Sequence, residues 1–264
     1  MKKIISILLV FTLLLTACSP AIPPDEKTRP DESAVNEAGE VVIYLTRHGK
    51  TMLNTTERVQ GWADSPLTEA GVEVAQQLGR GLNLEGVRFV AAYSSDSGRA
   101  IETANIVLEQ GGQFGQLELN QMKELREWNF GIFEGDLNDH MIDAVIEVTG
   151  YKGEEDVRSA LDLSELADAI AKADETGAAE NWEQISGRTD AGFRAIAQEV
   201  SENGGGNVLV VAHGLTINAI VKNINPGQKT VPIANAAVTK IKYVDGKFEI
   251  LTFNDTSYIE KGAE

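Results

Sequence analysis

Two apolar, strand-like runs of this chain each end in His-Gly: VVIYLTRHG closes on His48 and Gly49, and NVLVVAHG closes on His213 and Gly214. The chain holds three histidines, so two of them share one local setting. A buried strand that stops at a polar residue plus glycine delivers that residue to the carboxyl edge of a sheet, where open α/β sheets place their ligands. Imidazole changes charge near neutral pH and attacks electrophiles when neutral. With Arg47 beside His48, the pair points to an anion site capable of proton or group transfer.

The elements that must position these residues alternate between strand and helix. Val41 to Thr46 is a β-rich run. Thr68 is a good N-cap and Glu69 suits a first helical turn, so Thr68-Glu69-Ala70-Gly71 opens a helix carrying Val72, Ala75, Leu78 and Leu82. Val87 to Tyr93 reads as a buried strand, Ser97 to Glu109 as a helix, and Leu117 to Leu119 as a short strand. From about Leu137 to Glu180 the chain turns acidic and helix-favouring, as an inserted helical lobe would. Asp190 to Glu202 reads as a helix ended by Asn203-Gly204-Gly205-Gly206. Val208 to Ala212 is apolar throughout, as a strand covered on both faces must be. A helix over Leu215 to Asn223 follows, and then a hairpin of Ala237 to Tyr243 and Phe248 to Phe253 turned at Val244-Asp245-Gly246. The fold class expected is α/β: a three-layer α/β/α sandwich on a mostly parallel central sheet, with a helical insert over the active site.

Several motifs stand in order along this frame: Thr46-Arg47-His48-Gly49-Lys50-Thr51 with Asn54, Arg58-Val59-Gln60-Gly61-Trp62, Asp64-Ser65-Pro66-Leu67-Thr68, Tyr93-Ser94-Ser95-Asp96 with Arg99-Ala100, Leu125-Arg126-Glu127 running into Phe130-Gly131 and Glu134-Gly135, Ala212-His213-Gly214, and Asn235-Ala236-Ala237-Val238. In that order and spacing the chain resembles the histidine phosphatase superfamily, in its phosphoglycerate-mutase-like branch, from about Val41 to Phe253. Gly214 after the second histidine and Thr51 after Arg-His-Gly-Lys set it apart from the phytase-like acid phosphatases. Lys50, where an acidic residue is commoner, is a departure.

The resemblance implies roles. His48 would be the nucleophile that becomes phosphohistidine, kept neutral by the nearby cations Arg47 and Arg99. Arg47, Asn54, Arg99 and His213 would bind the phosphate and the charge spread over its oxygens in the transition state. Glu127 would be general acid and then general base, with Glu124 in the same charged stretch as the competing choice. Arg58, Gln60 and Gly61 either line the substrate side or are ordinary loop residues. His140 falls outside every motif and reads as a surface helix residue. Trp62, Trp128 and Trp182 read as packing residues. No metal or other cofactor is implied, and the sequence shows neither paired histidines nor an Asp-rich loop.

The N-terminus makes a separate statement. Met1-Lys2-Lys3, an apolar run Ile4 to Leu15, and Leu15-Thr16-Ala17-Cys18 look like a lipoprotein signal peptide over 1–17, with Cys18 as the diacylglycerol site. Cys18 is the sole cysteine, and Ser19 to Glu40 holds four of the seven prolines, as a tether over 18–40 would. The expected catalytic domain spans 41–258, with its insert at about 137–180. The expected location is the outer face of a bacterial cytoplasmic membrane, held through Cys18. A formal charge of −17 argues against nucleic acid as a partner. It leaves an anionic small molecule to bind only at a local cluster of arginines. The sequence leaves oligomeric state open.

Three functions compete: a metal-independent phosphomonoester hydrolase, a phosphoglycerate mutase, and a non-catalytic phosphate-ligand-binding lipoprotein. Mutases of the family resemble one another in a basic cluster after Glu-Gly. Here Asp136-Leu137-Asn138-Asp139-His140 follows Gly135, and the insert is acidic. Hydrolysis is therefore the favoured reading.

Overall fold

The computed structural model describes residues 39–264. The signal-peptide, Cys18 and tether readings lie outside the described residues. In chain order the elements are β1 (Val41–Arg47), α1 (Met52–Thr55), α2 (Glu69–Leu84), β2 (Ala91–Ser95), α3 (Gly98–Gln110), β3 (Leu119–Met122), α4 (Asn138–Thr149), α5 (Glu154–Ala160), α6 (Leu163–Ala173), α7 (Trp182–Glu202), β4 (Gly206–Ala212), α8 (Gly214–Ile224), β5 (Val238–Val244), β6 (Lys247–Asp255) and α9 (Ser257–Ala263).

Six strands form one sheet in the order β3-β2-β4-β1-β5-β6. The pairs β3/β2, β2/β4 and β4/β1 are parallel, while β5 runs antiparallel to both β1 and β6. The mostly parallel α/β sheet expected from the sequence is therefore the one observed. Alternation along the strands divides the core. Ile43 and Leu45 of β1 and Val208 and Val210 of β4 pack with Phe193, Ile196 and Ile217 of α7 and α8. Tyr44, Leu209 and Val211 face the opposite way, onto Leu78, Ala104 and Tyr258 of α2, α3 and α9. Every residue of β4 is buried, which is why its sequence shows no polar alternation.

A third apolar cluster binds the insert to the rim of the sheet. Val145, Val157, Leu163 and Ile170 of α4 to α6 meet Trp128, Phe130 and Ile185 there.

Several boundaries differ from the expectation. The second strand starts at Ala91 rather than Val87, because Phe89 exchanges its backbone hydrogen bonds with the Gln113 side-chain amide instead of a strand. β3 is displaced to Leu119–Met122. α7 starts at Trp182, well before Asp190, behind a capping box of Asn181 and Gln184. The domain does not end at 258: α9 runs to Ala263 on α2, and Arg80 donates to the Gly262 carbonyl. The helices α4 to α6 span Asn138–Ala173.

Candidate functional site

The two His-Gly segments meet because β1 and β4 are parallel neighbours in register. Arg47 pairs with Ala212, and the His48 N–H donates to the Ala212 carbonyl at 3.1 Å. The imidazoles of His48 and His213 lie 5.2 Å apart between ring centroids, tilted by 59°. β2 flanks β4 on its other side, so the first turn of α3 brings Arg99 to the same edge. His48, His213 and Arg99 are all buried.

Close backbone contact fixes the turn after His48. A β-carbon on Gly49 would lie 2.4 Å from the Gly71 carbonyl oxygen, and one on Gly71 would lie 2.1 Å from that of Lys50. Only glycine permits this approach of α2 to the His48 loop. The Thr68 hydroxyl caps α2 by accepting from the Gly71 N–H, and donates to the Lys50 carbonyl. Asn235 donates to the His48 carbonyl from the opposite side.

Electrostatics sets the state of the histidines. His48 Nδ1 lies 2.8 Å from the Gly49 carbonyl. A carbonyl only accepts, so Nδ1 carries the proton and Nε2 keeps its lone pair. Burial, then Arg99, then Arg47 hold the His48 imidazole well below its ordinary pKa. The arginines thus act in the direction expected, but burial is the larger cause. His213 is held down in the same way by burial, Arg99, His48 and Arg47. Among the described residues, neither ring nitrogen of His213 has a hydrogen-bond partner, and neither does Nε of Arg47 or Arg99. The Nε–H groups of the two guanidiniums and one nitrogen of the His213 ring are the kinds of donor that an anion's oxygens accept from.

Each arginine is anchored by its other nitrogens. Arg47 Nη1 donates to the Ile233 carbonyl at 2.6 Å. Arg99 donates to the carbonyls of Gly61 and Ala63 and to Asp64. Asp64 also accepts from the Gly98 N–H at 2.6 Å, so one carboxylate offsets both the cation and the positive helix end beside it. That resolves why a cation is tolerated in a first helical turn. Glu134 in turn gathers the N–H groups of Gly61, Trp62 and Ala63, fixing the loop that holds Arg99.

Glu127 is buried at the N-terminus of α8. Oε1 accepts from the Trp128 N–H and the Thr216 N–H and shares the Thr216 hydroxyl with the Arg126 carbonyl, whereas among the described residues Oε2 accepts from the Leu215 N–H alone. Oε2 therefore retains capacity for a proton. Glu124, the competing carboxylate, packs against Gly192 of α7. The backbone of the Glu127 loop is tied by Arg188, which donates to the carbonyls of Glu124, Arg126 and Glu127 and forms an ion pair with Glu180. Glu180 also accepts from the Asn129 N–H. Trp62 donates its indole N–H to the Glu127 carbonyl, and Arg126 lies 4.7 Å over its ring while pairing with Asp96.

A cleft of about 480 Å³ opens over this edge, lined by Arg47, Asn54, Arg58, Gln60, Glu127 and Lys50 among others. Asn54 and Thr51 both donate to Gln60 Oε1. Arg58 spends Nη1 on the Gly135 carbonyl. Gly61 does not line the cleft; its backbone packs beneath, between Arg99 and Glu134. The two imidazoles are buried and are not among the residues that line the cleft. His140 is exposed and bonded to Asp136, as a surface helix residue. Of the tryptophans, Trp128 is buried, while Trp62 is 46% exposed and holds Arg126 rather than filling a core.

Sequence reading missed Arg188, Asp64 as the Arg99 anchor, and Glu134 as a loop clasp. Each works on backbone groups of a distant segment and leaves no local pattern. Among the described residues, no cluster of metal-ligating side chains is present.

Comparison with known proteins agrees with this geometry. A family model described as "Histidine phosphatase superfamily (branch 1)" matches residues 43–256. A crystal structure of phosphoglycerate mutase from Bacillus anthracis str. Sterne is 49% identical, with a TM-score of 0.83, covering 86% of this chain and 99% of that one. Bacillus stearothermophilus YhfR is 30% identical with a TM-score of 0.66, covering 83% and 99%. Phosphoglycerate mutase-like protein 4 of Arabidopsis thaliana is 28% identical over 89% of this chain and 93% of its own length.

Proposed function

Since the chain belongs to the histidine phosphatase superfamily, we propose that it hydrolyses phosphomonoesters without a metal, through a phosphohistidine on His48. The observation that carries this reading is the His48 imidazole. It is buried, its Nδ1 is pinned to the Gly49 carbonyl so that Nε2 keeps its lone pair, its ring centroid lies 5.2 Å from that of His213, and the charges of Arg99 and Arg47 act on it.

In the first step His48 Nε2 attacks phosphorus and the bond to the ester oxygen breaks. Glu127 Oε2 gives its proton to the departing alkoxide, which leaves as the alcohol. Arg47, Arg99, Asn54 and His213 neutralise the phosphoryl oxygens, and His213 takes up a proton only when the dianion is present. In the second step Glu127 removes a proton from water, the hydroxide attacks phosphorus, and the N–P bond breaks to release phosphate. Arg58 and Gln60 line the outer cleft beside the ester.

The mutase reading has one specific support, the 49% identity to a structure named phosphoglycerate mutase. Against it stands the segment after Gly135, where Asp136 and His140 pair with each other and no arginine occurs. One assay separates the two. The purified protein is given 3-phosphoglycerate and an aryl phosphate in EDTA, and free phosphate and phosphoglycerate isomers are both quantified. Phosphate release, lost in His48→Ala and accompanied by an acid-labile phosphoprotein, supports hydrolysis. Isomer exchange faster than phosphate release overturns it.

The N-terminal reading stands as part of the same proposal. Cys18 carries diacylglycerol, residues 18–40 tether the domain, and the catalytic unit works outside the cytoplasmic membrane. The wild type should leave membranes only with detergent, whereas Cys18→Ala should lose that requirement.

A further inference from the structure

Beside the cleft lies a second cavity of about 610 Å³, walled by the insert. The two share Arg47, Asn138, Leu215, Val231 and Pro232, so the cavity opens from the phosphate side of the site. Its depth is lined by Ile142 of α4, Val157 of α5, Leu161, and Leu163 and Leu166 of α6. The charged groups on its wall are already matched. Arg158 pairs with Glu154, and Asp162 pairs with Lys222 while capping α6. Arg47, at the entrance, faces the phosphate position. The residues of its depth, with Leu215 and Val231, thus give the cavity a mainly branched aliphatic lining, with Asn138, Thr230 and the solvent-exposed Arg158 as its further polar members. Water held against such surface is released when an apolar group replaces it.

We propose that this alcove receives the alcohol part of the substrate, and that the natural substrate class is phosphomonoesters of uncharged, apolar alcohols. This rests on the phosphomonoester reading above and narrows it. With phosphate on Arg47 and His48, an alkyl chain or aromatic ring of the leaving group lies along Leu215 and Val231 into the insert. A leaving group with a second carboxylate or phosphate would place that charge against Ile142, Leu161 and Leu166 without a partner, which is unfavourable. Such groups must stay in the outer cleft near Lys50. Discrimination is then set by the insert, while the phosphoryl chemistry is set by the sheet edge.

The test uses n-alkylphosphonates, which carry the anion but cannot be hydrolysed. Their binding to the full chain in lipid nanodiscs is titrated calorimetrically from two to six carbons, with protein-free nanodiscs subtracted. The dissociation constant should fall about fourfold for each methylene added, the scale set by burying one such group. An equally long ω-carboxyalkylphosphonate should bind at least tenfold more weakly than its uncharged counterpart. Leu161→Asn should flatten the chain-length dependence by making the wall polar, and Ile142→Trp should flatten it by filling the space. Affinity independent of chain length in the wild type, or tighter binding of the carboxylated ligand, overturns the proposal. Turnover of the matching alkyl phosphates is measured in parallel. Turnover without a chain-length gradient sinks only the alcove. A binding gradient without turnover sinks only the phosphatase reading.

Discussion

The sheet edge and the insert are built to different standards. At the edge, β4 is buried along its whole length and the residues after β1 and β4 are locked by register. In the insert, α4 and α5 each bury a single residue, Val145 and Val157. The edge therefore has little freedom to move, whereas α4 and α5, unlike α6 with its four buried residues, each anchor through a single buried side chain and can open at lower cost. Phosphoryl transfer needs donors fixed to fractions of an ångström. Selection among alcohols needs only a wall of suitable shape and polarity. On the proposal above, each task falls on the region whose packing suits it.

Substitutions can break this division, starting with the largest effect. His48→Ala removes the nucleophile and should lower kcat by at least about 10⁴-fold, with no phosphoenzyme in quenched single-turnover samples. Retained phosphoenzyme in that variant would move the chemistry away from the sheet edge. Next is Glu127→Gln, which should cost about 10³-fold with alkyl phosphates. The loss should shrink to about tenfold with a nitrophenyl ester, whose leaving group needs no proton. Equal losses with both esters would deny Glu127 its acid role.

A smaller effect probes the link between the regions. Glu180 closes the insert, Arg188 belongs to α7, and together they hold the backbone under Glu127. Arg188→Met should lower kcat by about tenfold while KM changes little, because positioning is lost rather than binding. It should also destabilise the fold by about 2 kcal/mol, since Glu180 keeps a half-buried charge. A change in KM alone would show that Arg188 serves the substrate side instead.

The smallest effect concerns pH. Burial and the two arginines hold His48 and His213 well below the value near 6.5 of an unfolded chain. Between those values the unfolded chain binds more protons, so stability rises with pH there. The contribution is complete above about pH 6.5 and is lost as pH falls toward the folded values. Asp96, Asp162 and Asp174, all held below the carboxylate range, act in the same direction but only below about pH 4. Urea midpoints measured at pH 7.5 and 5.5 should differ more in wild type than in His48→Asn. An identical difference would mean that the ring is not buried neutral.

Much of the edge was legible because its signals are local. An apolar run closing on His-Gly reports both strand and position, and β4 shows full burial in its composition alone. The Arg-His-Gly and Leu-Arg-Glu motifs carried the resemblance that the family match supports. The extent of β2 was not legible. Val87 and Phe89 are as buried as a strand, yet Phe89 bonds to Gln113 rather than to a neighbouring strand. The start of α7 hid in a polar stretch whose capping box needs two residues read together. The roles of Arg188, and of Glu134 although it stands in the Glu134-Gly135 motif, were hidden for a deeper reason. Their partners are backbone groups of remote segments, and any sequence presents the same carbonyls and amides there. The side-chain roles assigned to His48, Arg47, Arg99, Glu127 and His213 remain the proposal that the substitutions above examine.

Trp62 gives the molecule a built-in optical reporter. Its indole is exposed, yet it is bonded to the Glu127 carbonyl and covered on one face by Arg126. Trp128 is sealed in the third apolar cluster and Trp182 stands edge-on to it. A water-borne collisional quencher therefore meets Trp62 first. Its emission follows the loop that carries Glu127, in real time and without an added dye.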